Sequence, residues 1–164
     1  MGEGKITAFT GSGHGKTSAA LGGALQCAAG GKSVVVIQFL KGKGVRSTGF
    51  LERLEPEIKV FRFENTNFTD RTEDEKREEI ANIRNGLNYA RKVLSTGECD
   101  MLVLDEVLGL VGNDILETQE LLALLENRGE TEIVLTGTAM NRELCRYADE
   151  INRIETVQAC DLFI

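Results

Sequence analysis

The chain has 164 residues, of which 41% are hydrophobic and 27% charged, and its formal net charge at pH 7 is −7. This length and composition are ordinary for one globular domain with a buried core, and no apolar run approaches the roughly 18 to 20 residues that span a membrane. The acidic balance, with no cluster of Lys and Arg, argues against binding nucleic acid through a basic face. A local basic pocket for a small anion is still allowed.

Cysteine spacing bears on metal binding and on the compartment. The chain has one histidine and four widely separated cysteines, which are Cys27, Cys99, Cys145 and Cys160. The absence of a Cys-x-x-Cys pair argues against a structural zinc site, and free thiols are typical of a reducing compartment. The N-terminal segment leads straight into a strand-like run, which leaves no room for a signal peptide. We therefore expect a cytoplasmic protein.

The first three predicted elements form a strand–helix–strand unit. The run KITAFT (5–10) is a short strand candidate, and the alanine-rich segment 15–31 is a predicted helix that stops at Gly30 and Gly31. The run SVVVIQFL (33–40) is rich in Val and Ile, as is typical of a strand buried on both faces. Because a helix connects the two strands, they are expected to be parallel.

Strands and helices continue to alternate along the chain. The clearest helix spans 72–97, where Thr72 and Glu75 predict a capping box. The other predicted elements are a loop leading into a short helix (41–55), a strand (57–63), a strand (99–106), a helix (117–127), a strand (131–137), a helix (141–150) and a last strand (151–157). This alternation predicts an α/β fold: a single domain, 1–164, with an open, mostly parallel sheet and helices on both faces.

The stretch FTGSGHGKTSAA (9–20) is close to a phosphate-binding loop but is one residue short of it. In the common pattern, four residues separate the first glycine from Gly-Lys-Ser/Thr, whereas here the first glycine, Gly11, comes one step late. Glycines between a strand and a helix permit a tight turn that directs backbone N–H groups at an anion. Lys16 would supply a charge for a phosphate, and the Thr17 hydroxyl is placed to bind Mg²⁺. The sequence therefore predicts a nucleoside phosphate site.

Polar residues at the ends of other strands extend this prediction. Asp105 and Glu106 end the apolar run MLVL and would lie at the carboxyl edge of the sheet, where open α/β folds bind ligands. Carboxylates there hold Mg²⁺, and the pattern leaves open which of the two contacts the metal. Gln38 and Lys41 follow another strand, and Lys41 is either a second phosphate contact or an exposed lysine. For His14 the pattern leaves two interpretations open to the same degree: it contacts a phosphate, or it has no role in binding.

No side-chain nucleophile is visible in the sequence. The chain has one histidine, no serine elbow and no reactive-looking cysteine environment, so covalent catalysis by a side chain has no support. The chemistry must then come from the bound molecules, with the protein supplying position and electrostatics.

Five stretches together resemble the P-loop type of ATP:corrinoid adenosyltransferase. They are FTGSGHGKTSAA, VVVIQFLKG, NFT, DMLVLDE and TG…ADE, from Lys5 to about Glu150, and the most specific is the short loop, which this family shares. The resemblance implies a P-loop NTPase (RecA-like) architecture. It also implies transfer of the 5′-deoxyadenosyl group of ATP to the reduced cobalt of a corrinoid, with release of tripolyphosphate. The implied substrates and partners are ATP, a corrinoid, Mg²⁺ or Mn²⁺ and a reductant, of which a flavoprotein is one type. Neither nucleic acid nor membrane is implied, and the resemblance allows a homodimer.

Site residues follow from the same resemblance. The triphosphate would lie on the loop and the start of the next helix, formed by Gly11, Ser12, Gly13, His14, Gly15, Lys16, Thr17 and Ser18, with ATP reversed so that its C5′ is exposed. Thr17 and Glu106 would serve the metal, with Asp105 beside them. Phe68, in NFT, matches an aromatic residue that faces the corrin and helps detach the lower cobalt ligand. The chain departs from the family pattern at Asp70, where an aromatic is common, and at Thr138, where Arg is usual.

Two other functions compete with this interpretation. A RecA-like ATP hydrolase would use the glutamate after the strand-end aspartate to activate water, but the short loop argues against ordinary hydrolysis because γ-phosphate placement depends on loop geometry. A non-catalytic ATP-binding module gains support from the aromatic and the Arg that are missing at Asp70 and Thr138. The same departures are compatible with a weaker, altered or partner-dependent corrinoid site.

Overall fold

The computed structural model describes residues 2–39, 49–63 and 72–162, and six strands in these ranges form one sheet. The strands are β1 (Ile6–Thr10), β2 (Val34–Phe39), β3 (Ile58–Phe63), β4 (Met101–Asp105), β5 (Glu132–Thr136) and β6 (Glu150–Arg153). The α-helices are α1 (Lys16–Ala29), α2 (Glu73–Thr96), α3 (Val107–Gly112), α4 (Thr118–Glu126) and α5 (Arg142–Tyr147). Two short 3-10 helices cover Leu51–Leu54 and Ala159–Leu162.

The sheet is parallel throughout its described strands. Its order is β3-β2-β4-β5-β1-β6, and every neighbouring pair runs in the same direction. The predicted open, mostly parallel α/β fold is therefore confirmed. Because all strands point the same way, their carboxyl ends lie along one edge of the sheet. This edge receives the glycine loop after β1 and the two carboxylates at the end of β4, with β5 between these strands.

Helices cover both faces of the sheet, as predicted. On one face, Ala20 and Ala24 of α1 pack against valines of the central strands, among them Val36 and Val103. On the other face, α2, α3, α4 and α5 contribute a larger core against alternate strand positions such as Ile37 and Leu104. Successive strand residues point to opposite faces. We call the first face, which carries the helix that follows the glycine loop, the α1 face.

The longest described helix, α2, begins and ends as its sequence indicates. The Thr72 hydroxyl accepts a hydrogen bond from Glu75 N at 3.3 Å, and Glu75 Oε2 accepts one from Thr72 N at 2.8 Å. The predicted capping box is therefore present, and the helix stops at Gly97, whose φ of 62° is left-handed. Across the described ranges, α2 included, no helix combines the length and apolar character needed to cross a membrane.

Two stretches differ from the sequence-based expectation. Helix α3 was not predicted, because it follows β4 after a single residue and contains two glycines, which are poor helix formers. The helix predicted over 141–150 ends at Tyr147, and Glu150 already belongs to β6. Strand pairing overrides the helical pattern there: Asp149 Oδ2 accepts a hydrogen bond from Ile6 N at 2.8 Å and fastens β6 beside β1.

Candidate functional site

The glycine loop between β1 and α1 is held by backbone hydrogen bonds to the ends of two neighbouring strands. Gly11 N donates to Thr138 O and Gly13 N donates to Ile154 O, both at 2.9 Å. Gly11 has a φ of 106°, in the left-handed region that favours glycine. These two N–H groups therefore anchor the loop against the segments that follow β5 and β6, and do not face an anion.

The start of α1 offers backbone N–H groups that can bind an anion, whereas the N–H groups of Gly11 and Gly13 are already used to hold the loop. The helix begins at Lys16 with no side-chain cap and no acidic residue in its first turn, so the N–H groups of Lys16, Thr17 and Ser18 have no acceptor within the helix. Lys16 Nζ donates to Gly13 O at 2.9 Å, which holds the ammonium across the loop. The side chains of Ser12 and His14 are exposed. Helix dipole and ammonium together make this end of α1 attractive to an anion.

A row of polar side chains crosses four adjacent strands at the same edge, on the α1 face. We call it the polar row, and its members are Arg62 of β3, Gln38 of β2, Asp105 of β4 and Thr136 of β5. Gln38 is in register with both Arg62 and Asp105. The relative exposure of Gln38 is 6%, of Asp105 1% and of Thr136 0%. Buried polar groups need hydrogen-bond partners, and the row supplies them.

The Asp105 carboxylate accepts three hydrogen bonds from this row and from α1. Its Oδ1 accepts from Thr17 Oγ1 at 2.9 Å and from Thr136 Oγ1 at 2.7 Å, while its Oδ2 accepts from Gln38 Nε2 at 3.1 Å. Gln38 Oε1 in turn accepts from Arg62 Nε at 2.9 Å. The carboxylate is thus fixed in orientation, and it fixes the Thr17 hydroxyl at the start of α1.

Glu106 occupies an unusual backbone conformation next to this carboxylate. Its φ of 65° is left-handed, which is uncommon for a residue other than glycine, and its N–H donates to Thr136 Oγ1 at 2.8 Å. A Cβ at Gly137 would lie 2.4 Å from Leu108 Cβ, so this glycine lets α3 approach the end of β5. Within the described ranges the half-buried Glu106 carboxylate makes no hydrogen bond or ion pair. Strain of this kind is often kept at functional sites.

The structure brings together part of the set predicted from the sequence. At the carboxyl edge of the sheet, Thr17 donates a hydrogen bond to Asp105, and Lys16, next to Thr17, donates to Gly13 O. Glu106 follows Asp105 at the same edge. Lys41, Phe68 and Asp70 lie outside the described residues. Arg62 was not singled out, because its place beside Gln38 depends on the pairing register of β2 and β3, which no local pattern reveals.

Burial disfavours the reactive thiolate at two of the four cysteines, Cys99 and Cys27. All four are free. Burial raises the pKa of the Cys99 thiol to about 11, so it stays protonated and unreactive at neutral pH. Burial also raises the pKa of Cys27. Over residues 2–39, 49–63 and 72–162, no group of three or more His, Cys, Asp or Glu side chains is arranged to hold a metal ion.

The fold is similar to that of a solved structure. The crystal structure of the KaiC-like protein PH0186 from Pyrococcus horikoshii OT3 aligns with a TM-score of 0.57 over 95% of this chain and 75% of that chain. At 17% sequence identity this likeness concerns the fold alone. It supports the P-loop NTPase (RecA-like) architecture expected above.

Sequence comparisons identify the family. The corrinoid adenosyltransferase of Escherichia coli (strain K12) is 33% identical over 156 residues, covering 94% of this chain and 78% of the relative. The corrinoid adenosyltransferase CobA of Salmonella typhimurium (strain LT2) has the same identity and coverage. The family model described as ATP:corrinoid adenosyltransferase BtuR/CobO/CobP matches residues 2–160. With the short glycine loop and the strand-end carboxylates in place, this chain belongs to the ATP:corrinoid adenosyltransferase family.

Proposed function

We propose that this chain transfers the 5′-deoxyadenosyl group of ATP to the reduced cobalt of a corrinoid and releases tripolyphosphate. The family match over residues 2–160 carries the proposal. It is supported by the short loop between β1 and α1, whose Gly11 and Gly13 are anchored by backbone hydrogen bonds. The substrates are then ATP and a corrinoid, and the chain acts as an enzyme of the transferase class.

The proposed reaction needs no proton transfer by the protein. The electron pair of Co(I) forms a bond to C5′ of ATP, the C5′–O bond breaks, and its electron pair leaves on tripolyphosphate. The protein stabilises the charge that develops on this leaving group, through the first N–H groups of α1 and the Lys16 ammonium. The buried Cys99 thiol, whose pKa is raised to about 11, is not needed as a nucleophile in this reaction. Catalysis then rests on position and electrostatics.

We further propose that Thr17 and Glu106 hold Mg²⁺, or Mn²⁺ in its place. The donors are oxygens, which these ions prefer. The two oxygens of Asp105 already accept three hydrogen bonds, whereas the Glu106 carboxylate accepts none from the described residues. Asp105 then orients the Thr17 hydroxyl, and Glu106 is the direct ligand. When bound, the ion neutralises charge on the triphosphate.

Replacing Glu106 by glutamine tests this assignment. The change keeps side-chain size but removes the charge, and we expect the tightening of ATP binding by Mg²⁺ to fall about tenfold. Titration calorimetry with ATP, in Mg²⁺ and in EDTA, measures the ratio of the two dissociation constants. Glu78→Gln on the exposed side of α2 is the matched control and should leave the ratio unchanged. A full Mg²⁺ effect in Glu106→Gln would show that the ligand is another residue.

An anaerobic assay tests the activity itself. The protein is incubated with ATP, Mg²⁺, a chemical reductant and either cobalamin or cobinamide, and both the corrinoid spectrum and the phosphate products are followed. We expect light-sensitive alkylcobalt and an equal amount of tripolyphosphate. Orthophosphate without alkylcobalt would favour the RecA-like hydrolase, and ATP binding without any product would favour the non-catalytic module.

Finer parts of the proposal rest on the resemblance. Lys41 is a second phosphate contact and Phe68 faces the corrin, and both lie outside the described residues. A reductant, such as a flavoprotein, supplies the electrons that give Co(I). We also propose that the chain acts as one nucleotide-binding domain, that it pairs with itself, and that it works in the cytoplasm, where its free cysteines would stay reduced.

A further inference from the structure

The polar row extends beyond the residues that would contact ATP or metal, to the edge strand of the sheet. Arg62 belongs to β3, the outermost strand on its side. Its half-buried side chain donates through Nε to Gln38 Oε1 at 2.9 Å. The next contact in the row is Gln38 Nε2 to Asp105 Oδ2, at 3.1 Å. Gln38 therefore connects Arg62 by hydrogen bonds to Asp105, whose carboxylate holds the Thr17 hydroxyl.

Donation by Arg62 fixes which end of the Gln38 amide faces Asp105. A glutamine amide has an accepting oxygen and a donating NH₂ group at nearly equivalent positions. With the guanidinium on one side, the oxygen must face Arg62, so the NH₂ group must face the carboxylate. A flipped amide would place its oxygen against Asp105 and its NH₂ against the guanidinium, so both contacts would be repulsive. Gln38 is buried, which makes such unmet contacts costly.

The orientation of the Asp105 carboxylate determines the orientation of the Thr17 hydroxyl, which is one of the proposed metal ligands. Asp105 Oδ1 accepts a hydrogen bond from Thr17 Oγ1 at 2.9 Å. Because that hydroxyl proton is directed at Asp105, the lone pairs of the Thr17 oxygen face away from this carboxylate. If the Asp105 carboxylate rotated, it would lose the hydrogen bond from Thr17, and the Thr17 hydroxyl would no longer be held in this orientation.

We propose that Arg62 is a positioning residue which, through Gln38 and Asp105, sets the Thr17 hydroxyl for the metal ion of MgATP. The inference rests on the metal site proposed above and adds Arg62, which is linked to Thr17 through Gln38 and Asp105. Groups that orient metal ligands in this way typically change metal affinity by about 10- to 100-fold when removed. The effect should therefore appear in the Mg²⁺-dependent part of ATP binding and not in binding without metal.

A double-mutant cycle on ATP binding tests the proposal without relying on catalysis. The variants are Arg62→Met, Gln38→Met and the two combined, each titrated with ATP in Mg²⁺ and in EDTA. We expect Arg62→Met to lower the Mg²⁺-dependent tightening about tenfold, with binding in EDTA unchanged. In the combined variant the loss should equal that of Gln38→Met alone, because Arg62 acts through Gln38. Additive losses, or full tightening in Arg62→Met, would overturn the inference.

Two further variants keep the test decisive. Lys59→Met removes a charge from the same strand at an exposed position in register with Val35, and should bind MgATP like the wild type. If denaturation curves show that Arg62→Met is poorly folded, Arg62→Lys replaces it in the cycle. Its ammonium keeps the charge and can donate one hydrogen bond to Gln38, so we expect a smaller loss of Mg²⁺-dependent tightening. This loss should again be absent in the Gln38→Met background.

A wild type that binds MgATP but forms no alkylcobalt would contradict the proposed function, not this positioning role.

Discussion

Replacing Lys16 by alanine is expected to abolish ATP binding, with an affinity loss of about 100-fold or more. The residue carries the only permanent positive charge in the loop GSGHGKTS (11–18), and Lys16 Nζ lies 2.9 Å from Gly13 O, above the start of α1. Charge-assisted contacts to phosphate are among the strongest hydrogen bonds in proteins, and a 100-fold loss corresponds to about 2.7 kcal/mol. The backbone donors that remain cannot replace this charge.

The matched control for this variant lies at the other end of the same helix. Lys32 follows α1, is exposed, and is remote from the carboxyl edge of the sheet. Lys32→Ala removes the same charge and should leave the ATP dissociation constant, measured by calorimetry, unchanged. Circular dichroism of both variants reports whether the fold is retained. Wild-type affinity in Lys16→Ala would refute the assignment of the loop as the triphosphate site.

Adding one methyl group at Gly11 should destabilise the protein and disrupt the loop. Gly11 has a φ of 106°, and a Cβ there would lie 2.2 Å from the backbone oxygen of Ile154. Backbone cannot yield as a flexible side chain can, so the loop or the segment after β6 must move. We expect Gly11→Ala to lower the free energy of unfolding by about 3 kcal/mol or more, measured by urea denaturation. ATP affinity should fall as well, because the anchor to Thr138 is displaced.

A glycine in the interior of α1 provides the contrasting substitution. A Cβ at Gly22 would meet no atom within 4 Å, and alanine is a better helix former than glycine by about 0.5 to 1 kcal/mol. Gly22→Ala should therefore raise the free energy of unfolding by that amount and leave ATP binding intact. If both variants changed stability equally, the close packing of the loop against Ile154 would not be what Gly11 provides.

The binding and stability experiments do not by themselves separate the proposed function from its two competitors. Loss of ATP binding in Lys16→Ala is expected of any nucleotide site on this loop, whether it adenosylates, hydrolyses or only binds. The corrinoid assay distinguishes among the three. The family match gives the short loop a functional interpretation. In this chain the loop lies between β1 and α1, whose first turn has no side-chain cap.

Much of the fold, and the positions of the glycine loop and of the strand-end carboxylates, could be predicted from the sequence because their signals are local. The Val and Ile run around Val36, the capping box at Thr72 and the glycine stop at Gly97 each depend on a few neighbouring residues. The same holds for the loop that leads into Lys16 and for the carboxylates that end β4. The local pattern failed at two helices: α3 forms although it contains two glycines, and strand pairing ends α5 before its predicted end.

Only the tertiary structure decided how strand ends combine. Whether Arg62 contacts Gln38, and Gln38 contacts Asp105, depends on strand order and on a pairing register between segments 24 and 67 residues apart. The anchoring of Gly13 by Ile154 requires β6 to lie beside β1, although about 140 residues separate them in the chain. The local pattern specifies each strand and each loop, since propensity and periodicity act over a few residues. Contacts between distant segments follow from the packing of the whole sheet, and they determine that Asp105 accepts the hydrogen bond from Thr17 while the Glu106 carboxylate accepts none from the described residues.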